Sequence, residues 1–171
     1  MGTVLGQMRN VRWHELQHAY GSASQVPGML SRIAWGDGPT AEDALSDLGQ
    51  WIGAPAVFDS TVAAVPFLWE LAVTDTVEDR AGVLELLASI LASGHAQHPE
   101  WTRAAHDAVA QGRPTAVRLA ASTSAPQVQT RTRAQAQART PAQAQVVRDA
   151  AARLLTALDR HTCAACPPRT A

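Results

Sequence analysis

The chain contains no lysine: all 14 of its basic residues are arginine, and alanine is its commonest residue. That bias fits the codon usage of a GC-rich genome, so the arginine count alone says little about partners. Cysteine is nearly missing as well. Cys163 and Cys166 are the only two, too few and too close together to staple a secreted fold. No apolar run approaches the ~18 residues of a membrane span. The opening residues Met1-Gly2-Thr3-Val4-Leu5-Gly6 lack the basic, apolar and small-residue order of a secretion signal. A cytoplasmic protein without membrane contact is expected. Aromatic residues make up 5% of the chain and none follows Trp101. The C-terminal third therefore has no Phe, Tyr or Trp to stack on bases, and nucleic acid is not the expected partner.

The chain has 171 residues, 46% of them apolar and 17% charged, with a net charge of −1. This is the profile of one globular domain, with or without a tail. The near-neutral total hides a split. Residues 1–110 hold 5 arginines and 13 acids, whereas residues 111–171 hold 9 arginines and 2 acids.

A shift of 39 residues superimposes Val26-Pro27-Gly28-Met29-Leu30 on Val65-Pro66-Phe67-Leu68-Trp69. The same shift carries Ile33 to Ala72, Ala34 to Val73, Ala44 to Val83, Leu45 to Leu84, Leu48 to Leu87, Trp51 to Ile90 and Ile52 to Leu91. Within each copy these positions follow the i, i+3, i+4, i+7 spacing of one helical face. Each copy therefore reads as a helix pair. Gly36-Asp37-Gly38-Pro39 breaks the first pair, and Thr40 with Asp43 resembles an acidic capping box opening its second helix. Gly94 and Gly112 read as helix stops. Pro66 is expected to kink its helix or delay its start.

No segment shows sustained alternation of period two, so the fold is read as all-α. A helix pair cannot bury its apolar face alone, so the pairs are expected to stack into a short α-solenoid of antiparallel helix pairs. Val11–Tyr20 is expected as an N-terminal capping helix with Trp13, Leu16 and Tyr20 inward. Trp101–Ala110 and Pro114–Ala121 are expected as a third, degraded pair. Residues 1–121 then form the repeat domain and residues 122–141 a flexible linker rich in Gln, Arg and Ala. Residues 142–160 form a C-terminal helix, with Val147, Ala150, Ala151, Leu154, Leu155 and Leu158 on one face, and residues 161–171 a disordered tail.

The run Trp13-x-x-Leu16-x-His18-Ala19-Tyr20-Gly21-Ser22-Ala23, followed by Val26-Pro27 and Ala64-Val65-Pro66-Phe67-Leu68, resembles a group of bacterial HEAT-repeat-like proteins common in actinobacteria. The resemblance covers residues 11–94. Where that group carries His-Gln-Gly-Thr-Val-Tyr, this chain has Gly53-Ala54-Pro55-Ala56-Val57-Phe58, with Thr61 retained. The resemblance implies an armadillo-like α-solenoid of HEAT type that binds other macromolecules, from a group largely without an assigned activity.

One motif points to chemistry. His14-Glu15-Leu16-Gln17-His18 is an H-E-x-x-H pattern; on a helix its histidines would share a face and hold zinc, with Glu15 activating the metal-bound water. Ser24 stands at the third ligand position of the longer form of this motif, and no sheet precedes it to hold a substrate. His18 is accordingly read as a structural histidine, and His14 and Glu15 as surface residues. His161-x-Cys163-x-x-Cys166 has the spacing of half a zinc site, with no second pair beside it. His95 and His98, with His106 on the next helix, are the residues in a position to join it. These thiols are nevertheless read as free or redox-labile, the histidines as loop and surface residues, and no cofactor is expected.

The function read from the sequence is that of a non-enzymatic helical-repeat module or scaffold with an unidentified protein partner. Glu42, Asp43, Asp47, Glu70, Glu78, Asp79 and Glu85 would favour a basic partner, or serve only to keep the surface soluble. The alternative is a zinc metallopeptidase with Glu15 catalytic and His14 and His18 on the metal. No small-molecule substrate is indicated.

Overall fold

The apolar stripes fold as helices. The computed structural model describes residues 5–122 and 140–167, and these are mostly helical: α1 (Val26–Trp35), α2 (Gly38–Ile52), α3 (Asp59–Val73), α4 (Arg80–Ala92), α5 (Pro99–Gln111), α6 (Arg113–Ala121) and α7 (Pro141–Arg160). Five of the seven carry a proline in their first turn, where the missing N–H has no intrahelical acceptor to lose.

Helix α1 packs on α2 and α3 on α4; α1 then meets α3, and α2 meets α4. The 39-residue correspondence survives as burial. Val26 and Val65, Leu30 and Trp69, Ala44 and Val83, and Leu48 and Leu87 are all buried pairwise in one continuous core. It fails at Val73, which is exposed where Ala34 is buried. Helix α3 begins at Asp59 and runs on through Pro66 to Val73, so the expected delay in its start is absent. Helix α5 packs on α3 and α4, and α7 lies across α4 and α6.

Three expectations are corrected. The segment Val11–Tyr20 is not a helix. It holds a 3-10 turn at Trp13–Glu15 and a short antiparallel hairpin of β1 (Gln17–His18) and β2 (Gly21–Ser22), closed by Gly21 at φ 132°. Long-range hydrogen bonds win over helix here. The Gln17 N–H donates to Asp59 Oδ1 (2.8 Å), the Ser60 hydroxyl to the Gln17 carbonyl (2.5 Å), and the Ala19 N–H to the Trp51 carbonyl (3.0 Å). Trp13 is buried as expected, its Nε1 donating to the Met8 carbonyl at 2.9 Å. Tyr20, expected inward, is 72% exposed.

Helix α2 is capped by Asp37 rather than by Thr40 with Asp43, its carboxylate accepting from the Thr40 N–H at 3.0 Å. The third correction concerns the tail. Residues 161–167 lie against α5: the Arg103 side chain donates to the Ala165 carbonyl (2.8 Å), and both thiols approach His106. Most of the linker read at 122–141, and tail residues 168–171, fall outside the described residues.

Candidate functional site

The structure takes the H-E-x-x-H residues apart. His14 is in the 3-10 turn, its side chain 71% exposed and 3.7 Å from Glu15, which also pairs with Arg12 at 3.0 Å. His18 is in β1 and faces inward, its ring stacked on Trp51 with centroids 4.7 Å apart. Its Nδ1 accepts from the Tyr20 N–H at 3.0 Å. Burial pulls the imidazole pKa below its usual value, against an opposing backbone hydrogen bond at Ser22. The shared helical face that the motif needs for a metal is not formed: His18 lies in a strand with its ring on Trp51.

The acidic candidates divide by what already occupies them. Asp79 caps α4, accepting from the Gly82 N–H at 2.8 Å. Glu85 pairs with Arg153 of α7 at 2.9 Å, an exposed ion pair across the α4–α7 seam. Glu42, Asp43 and Asp47 on α2, and Glu78 in the α3–α4 loop, are exposed and have no hydrogen-bond or ion-pair partner among the described residues. From Gly36 to Asp79 the chain holds nine carboxylates and no basic residue.

At the α1–α2 corner this acidic stretch meets an aromatic. Trp35, the last residue of α1, is 63% exposed. It borders a hollow of about 430 Å³ lined also by Asp37, Thr76 and Glu78. Hydrogen bonds from the side chain and backbone of Thr40 hold the Asp37 carboxyl below the usual carboxylate range, so it stays charged.

A second constellation joins residues from distant parts of the chain. His106 on α5, read from sequence as a surface residue, is only 3% exposed. Its Nδ1 lies 3.3 Å from Cys166 Sγ and 3.5 Å from Cys163 Sγ, and its ring meets that of His161 edge-on at 4.5 Å. One ligand-type atom from each of His106, His161, Cys163 and Cys166 falls within 4.8 Å of all the others. On its other side, His106 Nε2 faces the carbonyls of Ser93 (2.8 Å) and Ile90 (3.1 Å). Burial, followed by the hydrogen bond and the charge of Cys163, pushes the Cys166 thiol up to about 12.

Sequence reasoning found the His161, Cys163 and Cys166 spacing but not the choice of His106. The signal was available, since Thr102, Ala105, His106 and Val109 follow the spacing of the buried stripe of α5. His95 and His98 form a separate aromatic group with Trp101, in which His98 stacks on the indole at 3.7 Å.

Among the described residues no helix is long and apolar enough to cross a membrane. No protein family, curated protein or solved structure compared with the chain matches it.

Proposed function

We propose that this chain is a non-enzymatic, HEAT-like helical module that docks a basic segment of a protein partner at the α1–α2 corner. The two 39-residue hairpins, stacked α1 on α3 and α2 on α4, support the solenoid part of this reading. The observation that carries the docking part is Trp35, exposed at the rim of a hollow that Asp37 and Glu78 make negative. An arginine or lysine of the partner would lie on the indole face while the carboxylates take its charge. The unpaired acids Glu42, Asp43 and Asp47 would speed its approach from a distance.

The test is titration of the full chain with an arginine- and lysine-rich peptide, and with a neutral peptide of the same length, followed by calorimetry. The basic peptide is expected to bind, with affinity falling as salt rises. Trp35→Ala is expected to weaken binding by about threefold or more, the loss of one exposed cation–π contact, and Glu78→Gln to add to the loss. Equal binding of both peptides, or unchanged affinity in both variants with the helical circular dichroism retained, would overturn the proposal.

A further inference from the structure

We propose that His106, His161, Cys163 and Cys166 form a structural zinc site that clasps the segment after α7 onto α5. The donor set comes first. Two thiols and two imidazoles are the ligands that zinc prefers and that hard cations such as magnesium and calcium do not. The spacing comes second. Bonds of about 2.3 Å to sulfur and about 2.05 Å to nitrogen place the sulfur–nitrogen edges of a zinc tetrahedron at about 3.6 Å. The His106 Nδ1 edges to Cys166 and Cys163 are 3.3 and 3.5 Å. The four ligand atoms, all within 4.8 Å of one another, need shifts of only about 1 Å to close on one ion.

The third argument is orientation. His106 Nε2 faces two backbone carbonyls, which accept but cannot donate, so that nitrogen carries the proton. Nδ1 is then left with a lone pair aimed at the two sulfurs. A hydrogen bond from the far ring nitrogen to a carbonyl is how metal-binding histidines are usually oriented. The thiols are set by their own turn: the Cys166 N–H donates to the Cys163 carbonyl at 3.3 Å, and Arg103 holds the intervening Ala165.

Two thiolates and one divalent cation sum to zero charge, which suits a half-buried site better than either alone. A hollow of about 620 Å³ between the ends of α4, α5 and α7 is lined by His106, His161 and Cys163, giving an ion a route in. All four coordination positions come from the protein, so the site is closed and its role is to hold structure rather than to activate water.

The experiment uses the full chain without a polyhistidine tag, purified under reducing conditions. Mass spectrometry of the metal content is expected to give about one zinc per chain, the stoichiometry of a single four-ligand site. Stripped protein titrated with cobalt is expected to show a thiolate-to-metal charge-transfer band and the intense visible bands of a tetrahedral centre. This readout on the unmodified chain does not depend on any variant folding. Cys163→Ser and Cys166→Ser, in an irregular segment, are expected to lower the affinity by at least about tenfold, and His14→Ala to leave it unchanged. Stripped, reduced protein that gives no thiolate-to-cobalt band, or serine variants that keep the full zinc content, would overturn the proposal.

Discussion

The indole of Trp69 lies over Gly112, so close that a Cβ placed on residue 112 would overlap its ring. Trp69 belongs to α3, whereas Gly112 is the joint between α5 and α6. The contact therefore sets how closely the last short helix approaches the repeat core. Gly112 has φ −81° and ψ 2°, which other residues also adopt, so it is space rather than backbone freedom that excludes a side chain here. Gly112→Ala is expected to destabilise the chain by about 1–3 kcal/mol, the cost of overpacking. Trp69→Phe in the same background should recover part of that loss. Urea unfolding would show a lower midpoint with an unchanged slope; an unchanged midpoint would show that the ring moves aside freely.

Thr61 joins the two repeats. Fully buried in the first turn of α3, it donates its hydroxyl to the Ile52 carbonyl at the end of α2 (2.6 Å) and accepts from the Phe58 N–H (2.8 Å). Thr61→Val keeps the shape but strands both backbone groups, and is expected to cost about 1–3 kcal/mol for each group left buried without a partner. Thr61→Ser keeps the hydroxyl and should cost less. Equal stability of the valine and serine variants would remove the hydroxyl from the account.

Helices α1 to α4 were readable because their signal is local. Val26, Met29, Leu30 and Ile33, and their counterparts from Val65 onward, repeat at helical spacing, and each stripe is buried as the pattern requires. The hairpin at Gln17–Ser22 was not readable in the same way. Its segment also carries apolar residues at helical spacing, and the outcome is decided by Asp59, Ser60 and Trp51, more than 30 residues away. The same limit applies to the cluster around His106. The spacing of Cys163 and Cys166 announces two neighbouring thiols, but the packing of α7 on α4 decides which histidine they meet. At Asp79 and Glu85 the charge was readable and the purpose was not, since a cap, an internal ion pair and a docking residue look alike in sequence.

His18 makes stability depend on pH. Burial against Trp51 lowers its pKa in the folded chain, whereas the unfolded chain titrates near the ordinary histidine value of about 6.5. Below that pH the unfolded state takes up a proton that the folded state resists. Stability is therefore full above about pH 6.5 and falls as the pH drops toward the folded value. His18→Gln is expected to flatten this part of the profile while lowering stability overall through the lost stacking. A slope of the same size in the variant would assign the pH dependence to another group.

A metal bound only by the folded chain must add to its stability, and the clasp around His106 makes the addition measurable. An ion present at about 100 times its dissociation constant contributes roughly 2.7 kcal/mol. For a chain of this size that corresponds to a melting temperature higher by about 5–10 °C. A strong chelator is expected to remove this increment and added zinc to restore it. Cys166→Ser should melt at the lower temperature with or without chelator, because the chelator then has nothing to take away. His14→Ala, exposed and far from the thiols in sequence, should respond to chelation as the unmodified chain does. If the response were instead lost in His14→Ala and kept in Cys166→Ser, the stabilising ion would belong to the N-terminal motif, and the thiols after α7 would have no part in holding it.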